Sequence, residues 1–496
     1  MKRHFMKRAS LICIIIIAIF AAALFAACSS GTETGADASG ADPTAAGGAE
    51  TQPPKDPGDY DDLGAFNFGG YEFTLYSPDP NGMGWVWCTL ASEESDGTTI
   101  NDAIYTCCLN VESRFNIEIT ERYYDWTASV AVLNNLVMSG DDTYDIMTMV
   151  DRDAVTAGQK GLLLSVKELP YINLSKNYWG KGLQNYITIK RNTYFTFADY
   201  NLSSYEFTGL MLFNKRIAGE FQIDDFYDLV EAKQWTFSKL KEYAVVATAD
   251  LDGDGVMTPG KDRYGYGSEY NQSALPCFWV AAGLTSVEKD ADDVPSFRLS
   301  SNQKFFELFE RVFDMTYDAG TYCPLGSIDG ANAFKTGTVF IFTDKVGDLK
   351  NLRDMDDDFG LIPHPLYDEN QEKYYTRIEG ANLTVVPVNN KDAERASVIL
   401  EGWASTARQI LIPDYYTVLL ESKYTRDEQS VGMLTIIFDN RVYDLGDTFW
   451  CNQIRDGFLA GLFSKNNRDL ASALASREKS VNADIAKTVA LFDSAG

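Results

Sequence analysis

Acidic side chains recur at every second position from Asp250 to Asp254, where the sequence reads DLDGDGVMT. Counted from Asp250, carboxylates stand at positions 1, 3 and 5, a glycine at 6 and a hydroxyl at 9, the spacing of an EF-hand calcium loop. Lys261 occupies position 12, where that loop has its glutamate, and the next carboxylate is Asp262. Because converging carboxylates repel one another unless neutralised, we expect a structural calcium ion, with an acidic surface turn as the alternative. The predicted ligands are Asp250, Asp252, Asp254, Val256, Thr258 and Asp262.

Histidine is almost absent, which excludes several classes of enzyme. The two histidines are His4 and His364, and His364 stands between two prolines, where we expect a loop. Catalytic triads that use histidine and histidine-ligated zinc sites therefore lack their imidazoles. We expect no enzyme activity and no organic cofactor. The six cysteines beyond Cys28 contain no CxxC pair, and their spacing predicts no particular disulfide.

The first 27 residues have the layout of a secretory signal peptide. Four basic residues in the first eight positions precede an apolar run from Leu11 to Ala27. The run LFAAC, which ends at Cys28, resembles a lipobox, although Phe25 stands where leucine is usual. We expect cleavage before Cys28 and lipid, such as palmitate, on that cysteine. The protein would then be held on the outer face of the bacterial cytoplasmic membrane, with an uncleaved anchor or an unlipidated secreted protein as alternatives.

Residues 28–60 are predicted to be a flexible tether. Small, polar and acidic residues and prolines dominate this stretch, which cannot bury enough apolar surface to offset the entropy of ordering. The remaining body of some 430 residues exceeds one hydrophobic core, so at least two lobes are expected. Removing residues 1–27 leaves 39 basic against 71 acidic residues. This balance repels nucleic acid and anionic lipid, and neither is expected as a partner.

The start of the body alternates between strand and helix patterns. Strands are predicted at residues 70–76, 116–120 and 145–150, and amphipathic helices at 101–115 and 130–138. This order is typical of an α/β protein with a parallel sheet. Ligands of such sheets bind at the carboxyl ends of the strands, which here are followed by Ser77–Trp87 and Asp151–Asp153.

The order of several segments resembles family 1 extracellular solute-binding proteins, the maltose-binding-like receptors of ABC importers. The resemblance is carried by residues 144–152, 161–164, 210–215 (LMLFNK), 334–344 (FKTGTVFIFTD), 379–387 (EGANLTVVP) and 449–450. It covers nearly the whole body, and no single motif is specific. It implies an α/β, two-lobed type II periplasmic-binding fold with a hinge between the lobes, in a monomer that delivers a solute to the transmembrane subunits of an ABC permease. Lobe 1 would span residues 66–198 and 384–412, and lobe 2 residues 209–378 and 413–496.

Aromatic and charged residues together predict a carbohydrate ligand. Sugar faces stack on aromatic rings, and sugar hydroxyls pair with carboxylates, amides and arginine. The candidates for the cleft are Trp85, Trp87, Asp151, Arg152, Tyr270, Trp279, Asp344 and Trp450, the last four because they lie in segments that resemble cleft walls.

Each candidate also has a structural interpretation. A tryptophan in so aromatic a body is commonly a core residue, and Asp151 with Arg152 could cap a helix.

Two further functions remain open. The same fold could bind a cationic solute such as a polyamine, and a lipid-anchored glycoside hydrolase needs only two carboxylates.

Overall fold

The computed structural model describes residues 56–180, 182–269, 271–324, 329–421 and 429–494. The predicted signal peptide, Cys28 and residues 29–55 of the tether lie outside the described residues, as does Tyr270. The strands are β1 Tyr71–Pro78, β2 Ile117–Tyr124, β3 Ile146–Val150, β4 Gly209–Asn214, β5 Tyr264–Ser268, β6 Val287–Lys289, β7 Pro295–Phe297, β8 Val339–Lys345, β9 Phe359–Ile362, β10 Thr376–Arg377, β11 Asn382–Val385 and β12 Arg441–Val442.

The α-helices lie between these strands and after the last of them. They are α1 Thr99–Phe115, α2 Ser129–Ser139, α3 Asp151–Gln159, α4 Gln184–Ile187, α5 Ser203–Glu206, α6 Lys215–Glu220, α7 Phe226–Glu231, α8 Phe237–Ala247, α9 Asn271–Ala281, α10 Gln303–Phe313, α11 Gly330–Lys335, α12 Ala393–Gln409, α13 Leu411–Glu421, α14 Gln429–Asp439, α15 Leu445–Thr448, α16 Ala460–Ser464 and α17 Leu470–Ser494.

The first sheet has the strand order β11-β3-β1-β2. β1 runs parallel to β2 and β3, and β11 returns antiparallel to β3. Every side chain of β3 except that of Val150 is buried, as expected for a strand covered on both faces. The strand–helix–strand–helix–strand order predicted for residues 70–150 is confirmed.

Helix α1 illustrates how the sequence builds one layer beside this sheet. Its buried side chains, from Ile100 to Phe115, recur at intervals of three and four residues along one face. The helix ends at Asn116, which is left-handed at φ 52°, a conformation that asparagine tolerates. Helix α12 packs closely on α1, because a Cβ at Gly402 would lie 2.4 Å from the ring of Phe115. Glycine at this position therefore allows the close approach.

The second sheet has the strand order β5-β8-β4-β9. β5 and β8 are parallel, whereas β4 runs antiparallel to both β8 and β9. All seven residues of β8 are buried. Each sheet thus contains one strand that runs opposite to the other three, β11 in the first sheet and β4 in the second.

Two chain segments connect the two sheets. Residues 196–208 and 378–384 run side by side, paired at Thr196 with Thr384 and at Thr208 with Ile378. A further segment follows β12, which pairs with β10 outside the two sheets. The last helix, α17, contacts two distant parts of the chain. Asn482 accepts a hydrogen bond from the backbone N–H of Phe297 in β7, and Thr488 accepts one from the side chain of Gln159 in α3. The lobe boundaries given above stay a prediction.

The six described cysteines are free thiols, and all are buried. Among the described residues, no helix combines the length and apolar character needed to cross a membrane.

Candidate functional site

A cavity of about 170 Å³ lies against the two segments that connect the sheets and the segment that follows β12. Phe207 belongs to the first of these segments, residues 379–382 to the second and residues 447–455 to the third. The loops after β1 and β2, the end of β3 and the start of α3 supply the remaining walls. The lining residues are Met83, Trp85, Trp126, Val150, Asp151, Arg152, Phe207, Glu379, Gly380, Ala381, Asn382, Asp447, Thr448, Cys451 and Arg455.

Two tryptophans form the aromatic side of the cavity. The rings of Trp85 and Trp126 meet edge to face, with centroids 5.6 Å apart and an interplanar angle of 83°. Trp85 is 42% exposed, whereas Met83 beside it is buried. Because one ring edge supports the other, Trp85 presents an aromatic surface in a defined orientation.

Asp151 is a buried carboxylate at the first position of α3. Its Oδ2 accepts the hydroxyl hydrogen of Tyr443 at 2.6 Å and the N–H of Ala381 at 3.3 Å, and its Oδ1 accepts the N–H of Arg152 at 2.7 Å. Burial raises the pKa of Asp151, while the Tyr443 hydroxyl opposes that shift. Asp151 thus joins the first sheet to the segment after β12 through Tyr443.

A buried ion pair holds the part of the cavity wall that contains Asp447. Both Asp447 and Arg377 are buried, and Arg377 donates to Asp447 from Nε at 2.5 Å and from Nη2 at 3.0 Å. Arg455 donates to Asp447 Oδ1 at 3.0 Å. Glu379 lies 3.8 Å from the Nη1 atom of Arg377. Each carboxylate that lines the cavity therefore already has a donor or a guanidinium beside it.

Asn382 begins β11 in the wall of the same cavity. Its main chain is held on both sides: the N–H donates to Ser203 Oγ at 3.0 Å, and the carbonyl accepts from Asn201 Nδ2 at 2.9 Å. The side-chain atoms Nδ2 and Oδ1 are buried and have no hydrogen-bond partner within the described part of the chain.

The structure brings three of the predicted ligand residues together and separates the others. Trp85, Asp151 and Arg152 line the 170 Å³ cavity. Trp279 is 0% exposed, and its indole N–H donates to Asp444 at 2.9 Å, which makes it a core residue. Trp450 is 3% exposed and packs on Phe449. Neither of these two buried tryptophans reaches the cavity.

Trp87 and Asp344 lie in other surroundings. Trp87 lines a second cavity of about 680 Å³, and its backbone N–H donates to Glu206 at 2.8 Å. Asp344 is buried beside Glu269, Lys345 and Asp348, and Lys345 bonds both of the other carboxylates. Burial and the two neighbouring carboxylates raise the pKa of Asp344 well above its ordinary value.

The predicted calcium loop is a projecting turn closed by the antiparallel pair Ala249 and Arg263. One carboxylate oxygen each from Asp250, Asp252 and Asp254 lies within 4.8 Å of the others, and all three residues are exposed. Asp262 is buried beneath them and accepts the N–H groups of Leu251 and Thr258. Three converging carboxylates fit calcium chemistry. The Asp262 carboxylate, by contrast, already accepts hydrogen bonds from both ends of the loop.

Sequence reasoning missed Trp126, Asn382 and Arg455. Trp126 comes two residues after β2, so the rule that placed Trp85 at a strand's carboxyl end could have found it. Asn382 stands within the run EGANLTVVP, and it is distinguished only because its amide has no partner among the residues that the structure describes. Arg455 has no local signal, because its partner Asp447 identifies it only in the folded chain.

Comparison with solved structures places the fold in one class. A cyclic α-maltosyl-1,6-maltose binding protein from Arthrobacter globiformis is 14% identical, with a TM-score of 0.57 over 84% of this chain and 99% of that chain. An ABC substrate-binding protein from Listeria monocytogenes, solved with cycloalternan, is 12% identical, with a TM-score of 0.52 over 85% and 99%. An ABC transporter solute-binding protein from Thermotoga lettingae, bound with α-D-tagatose, is 13% identical, with a TM-score of 0.51 over 84% and 100%.

These likenesses establish the predicted two-lobed type II periplasmic-binding fold of α/β lobes. No protein-family model matches the chain, and no curated protein matches it by sequence.

Proposed function

We propose that this protein is the extracellular receptor of an ABC importer and that it captures a carbohydrate between its lobes. The observation that carries the proposal is the cavity at the connecting segments, which sets the Trp85 ring opposite polar groups whose charges are already balanced. An aromatic face with hydrogen-bonding groups suits a neutral polyol. The cycloalternan and α-D-tagatose bound in two of the similar structures, and the cyclic maltosyl-maltose that the third protein binds, agree with this ligand class.

The cavity volume bears on the size of the ligand. At about 170 Å³ the space holds roughly six water volumes of ~30 Å³ each. It is smaller than the ~300–1,000 Å³ pockets of drug-sized ligands. We therefore propose that one sugar ring occupies the enclosed part, and that any further rings extend past the exposed Trp85.

The cavity disfavours a polyamine as the solute. An ammonium group gains most from a carboxylate that has no counter-charge, whereas Asp447 lies between two guanidiniums and Asp151 accepts a hydroxyl and two N–H groups. A cation there would have to displace existing donors. A glycoside hydrolase needs one acid and one free base or nucleophile. Because Asp447 and Asp151 already accept hydrogen bonds from the protein, the cavity disfavours this function as well.

Thermal unfolding of the purified full-length chain in mild detergent tests the receptor proposal. A ligand at 100 times its Kd stabilises the native state by about 2.7 kcal/mol. We expect one member of a panel of mono- and oligosaccharides to raise the melting temperature, while spermidine does not. Chromatography of the same mixtures checks for hydrolysis. Turnover of a glycan, or a rise with spermidine alone, would contradict the proposal.

We further propose that Cys28 carries the lipid that keeps the receptor beside its permease. The proposal rests on the signal-peptide pattern and on the run LFAAC before the cysteine. Metabolic labelling with a palmitate analogue should mark the wild type. Replacement Cys28→Ser should abolish the label and release the protein from the membrane fraction, and a label that persists would contradict lipidation at this cysteine.

A further inference from the structure

The side-chain amide of Asn382 is an unusual feature of the cavity wall. Asn382 is 3% exposed, and neither its Nδ2 nor its Oδ1 has a protein partner within the described part of the chain. Buried polar side chains are nearly always hydrogen-bonded, since an unpaired donor or acceptor destabilises the fold. An amide with both ends unpaired therefore needs an explanation.

The surroundings hold this amide in place. Ser203 and Asn201, both buried, bond the backbone N–H and carbonyl of Asn382 from the first connecting segment. On the other side, Asn382 pairs in register with Val150, which directly precedes Asp151. The Asn382 side chain therefore shares a face of the sheet with Val150, which also lines the cavity, and the Asn382 backbone has little freedom to turn away.

We propose that the Asn382 amide is the group that recognises two adjacent hydroxyls of the sugar ring, one through Nδ2 and one through Oδ1. This inference rests on the proposed receptor function and names the selecting residue of that site. Each hydroxyl can donate and accept, so a neighbouring pair satisfies both ends of an amide at once.

The same chemistry explains which solutes the amide rejects. An ammonium ion only donates, so it would satisfy Oδ1 and leave Nδ2 buried and unpaired. A carboxylate only accepts, so it would leave Oδ1 unpaired. A site built around hydrogen bonds discriminates strongly against ligands that lack the matching group, because the protein atoms are then left without partners. Asn382 thus selects for neutral polyols.

The replacement Asn382→Leu in the full-length chain separates binding from stability. Leucine has a similar shape and no polar atoms, so the ligand-free variant should melt about 1–4 °C higher than the wild type. Its affinity for the sugar should fall on the order of 10- to 100-fold, because both hydrogen bonds are lost. A variant that is more stable and binds less is the signature of a ligand-binding amide.

Asn214→Leu is the matched control. Asn214 is also buried, but its Oδ1 accepts from Ile217 at 3.1 Å and its Nδ2 donates to Asp357 at 2.8 Å. This control should therefore melt lower than the wild type and keep its sugar affinity. The probes are D-glucose, D-tagatose, maltotetraose and spermidine, measured by thermal shift and calorimetry.

The outcomes are distinguishable. A lower melting temperature for Asn382→Leu, like that of the control, would show that the amide is already paired and would overturn the inference. Unchanged sugar affinity in Asn382→Leu would overturn it as well. If no sugar stabilises the wild type, the receptor proposal itself fails. In that case a rise in the melting temperature of ligand-free Asn382→Leu would still show the amide to be unpaired.

Discussion

Two tryptophans that look alike in the sequence should respond in opposite ways to replacement by alanine. Trp85 is 42% exposed in the cavity, whereas Trp450 is 3% exposed in the core. Trp85→Ala should weaken sugar binding with little effect on folding. Trp450→Ala should destabilise the protein and leave the affinity of the folded fraction almost unchanged.

The magnitude for Trp85 follows from its exposed surface. An exposed fraction of 42% on a side chain of roughly 250 Å² leaves about 100 Å² that a ligand can cover. Covering half to all of that area at ~25 cal/mol per Å² is worth about 1.2–2.5 kcal/mol, which is roughly 10- to 70-fold in Kd. For the buried Trp450, removal of the ring costs about 3–5 kcal/mol of unfolding free energy.

Calorimetry with the tightest-binding sugar of the panel measures the first effect, and urea denaturation of the ligand-free protein measures the second. Trp85→Phe is the control, since a smaller ring in the same place should retain most of the affinity. The reasoning is refuted if Trp85→Ala binds as tightly as the wild type, or if Trp450→Ala unfolds at the same urea concentration.

Three further predictions concern groups away from the aromatic wall. Burial lowers the pKa of His364 from 6.5 to about 3, so the unfolded chain binds a proton that the folded chain does not as the pH falls below 6.5. The contribution of His364 to stability should therefore drop by about 1.4 kcal/mol per pH unit between pH ~6 and ~4, and His364→Gln should remove that component when both proteins are unfolded in urea across this range. The buried carboxyls Asp145, Asp199 and Asp444, with pKa values raised to about 6, act in the opposite sense and are common to both proteins. Asp447→Ala should destabilise the protein by about 3–5 kcal/mol, because it leaves the buried Arg377 without its partner; a loss under 1 kcal/mol in urea denaturation would contradict this. Calcium should bind the Asp250 loop with a Kd of roughly 10⁻⁴–10⁻³ M and stabilise the protein by about 1.4–2.7 kcal/mol at 10 mM calcium, whereas the charge-removing variant Asp252→Asn should bind it far more weakly; no heat of binding in the wild type would end the calcium proposal.

Local patterns in the sequence were enough to predict the framework of the first sheet. Alternation and apolar runs place strands at β1, β2 and β3, because side-chain direction in a strand follows directly from position along the chain. The rule for the carboxyl ends of strands then brings Trp85 and Asp151 to one site. Their meeting in the cavity follows from sheet geometry alone.

The aromatic candidates show where such reasoning stops. Trp279, Trp450 and Trp126 are the same residue type. The first two nevertheless lie in the core, and the third lines the cavity. Burial depends on which distant segments cover a side chain. Asp444, for example, lies 165 residues from the indole of Trp279 to which it is bonded.

The sequence alone determined the strand and helix periods, the spacing of carboxylates in the Asp250 loop and the scarcity of histidine, because each is a property of neighbouring residues or of composition. Only the tertiary structure decided that Asp447 is neutralised by Arg377, 70 residues away, and that the Asn382 amide has no partner in the described parts of the chain. Hydrogen bonds and ion pairs between distant segments form only when the connecting segments come together, and the ligand-binding character of the cavity depends on them.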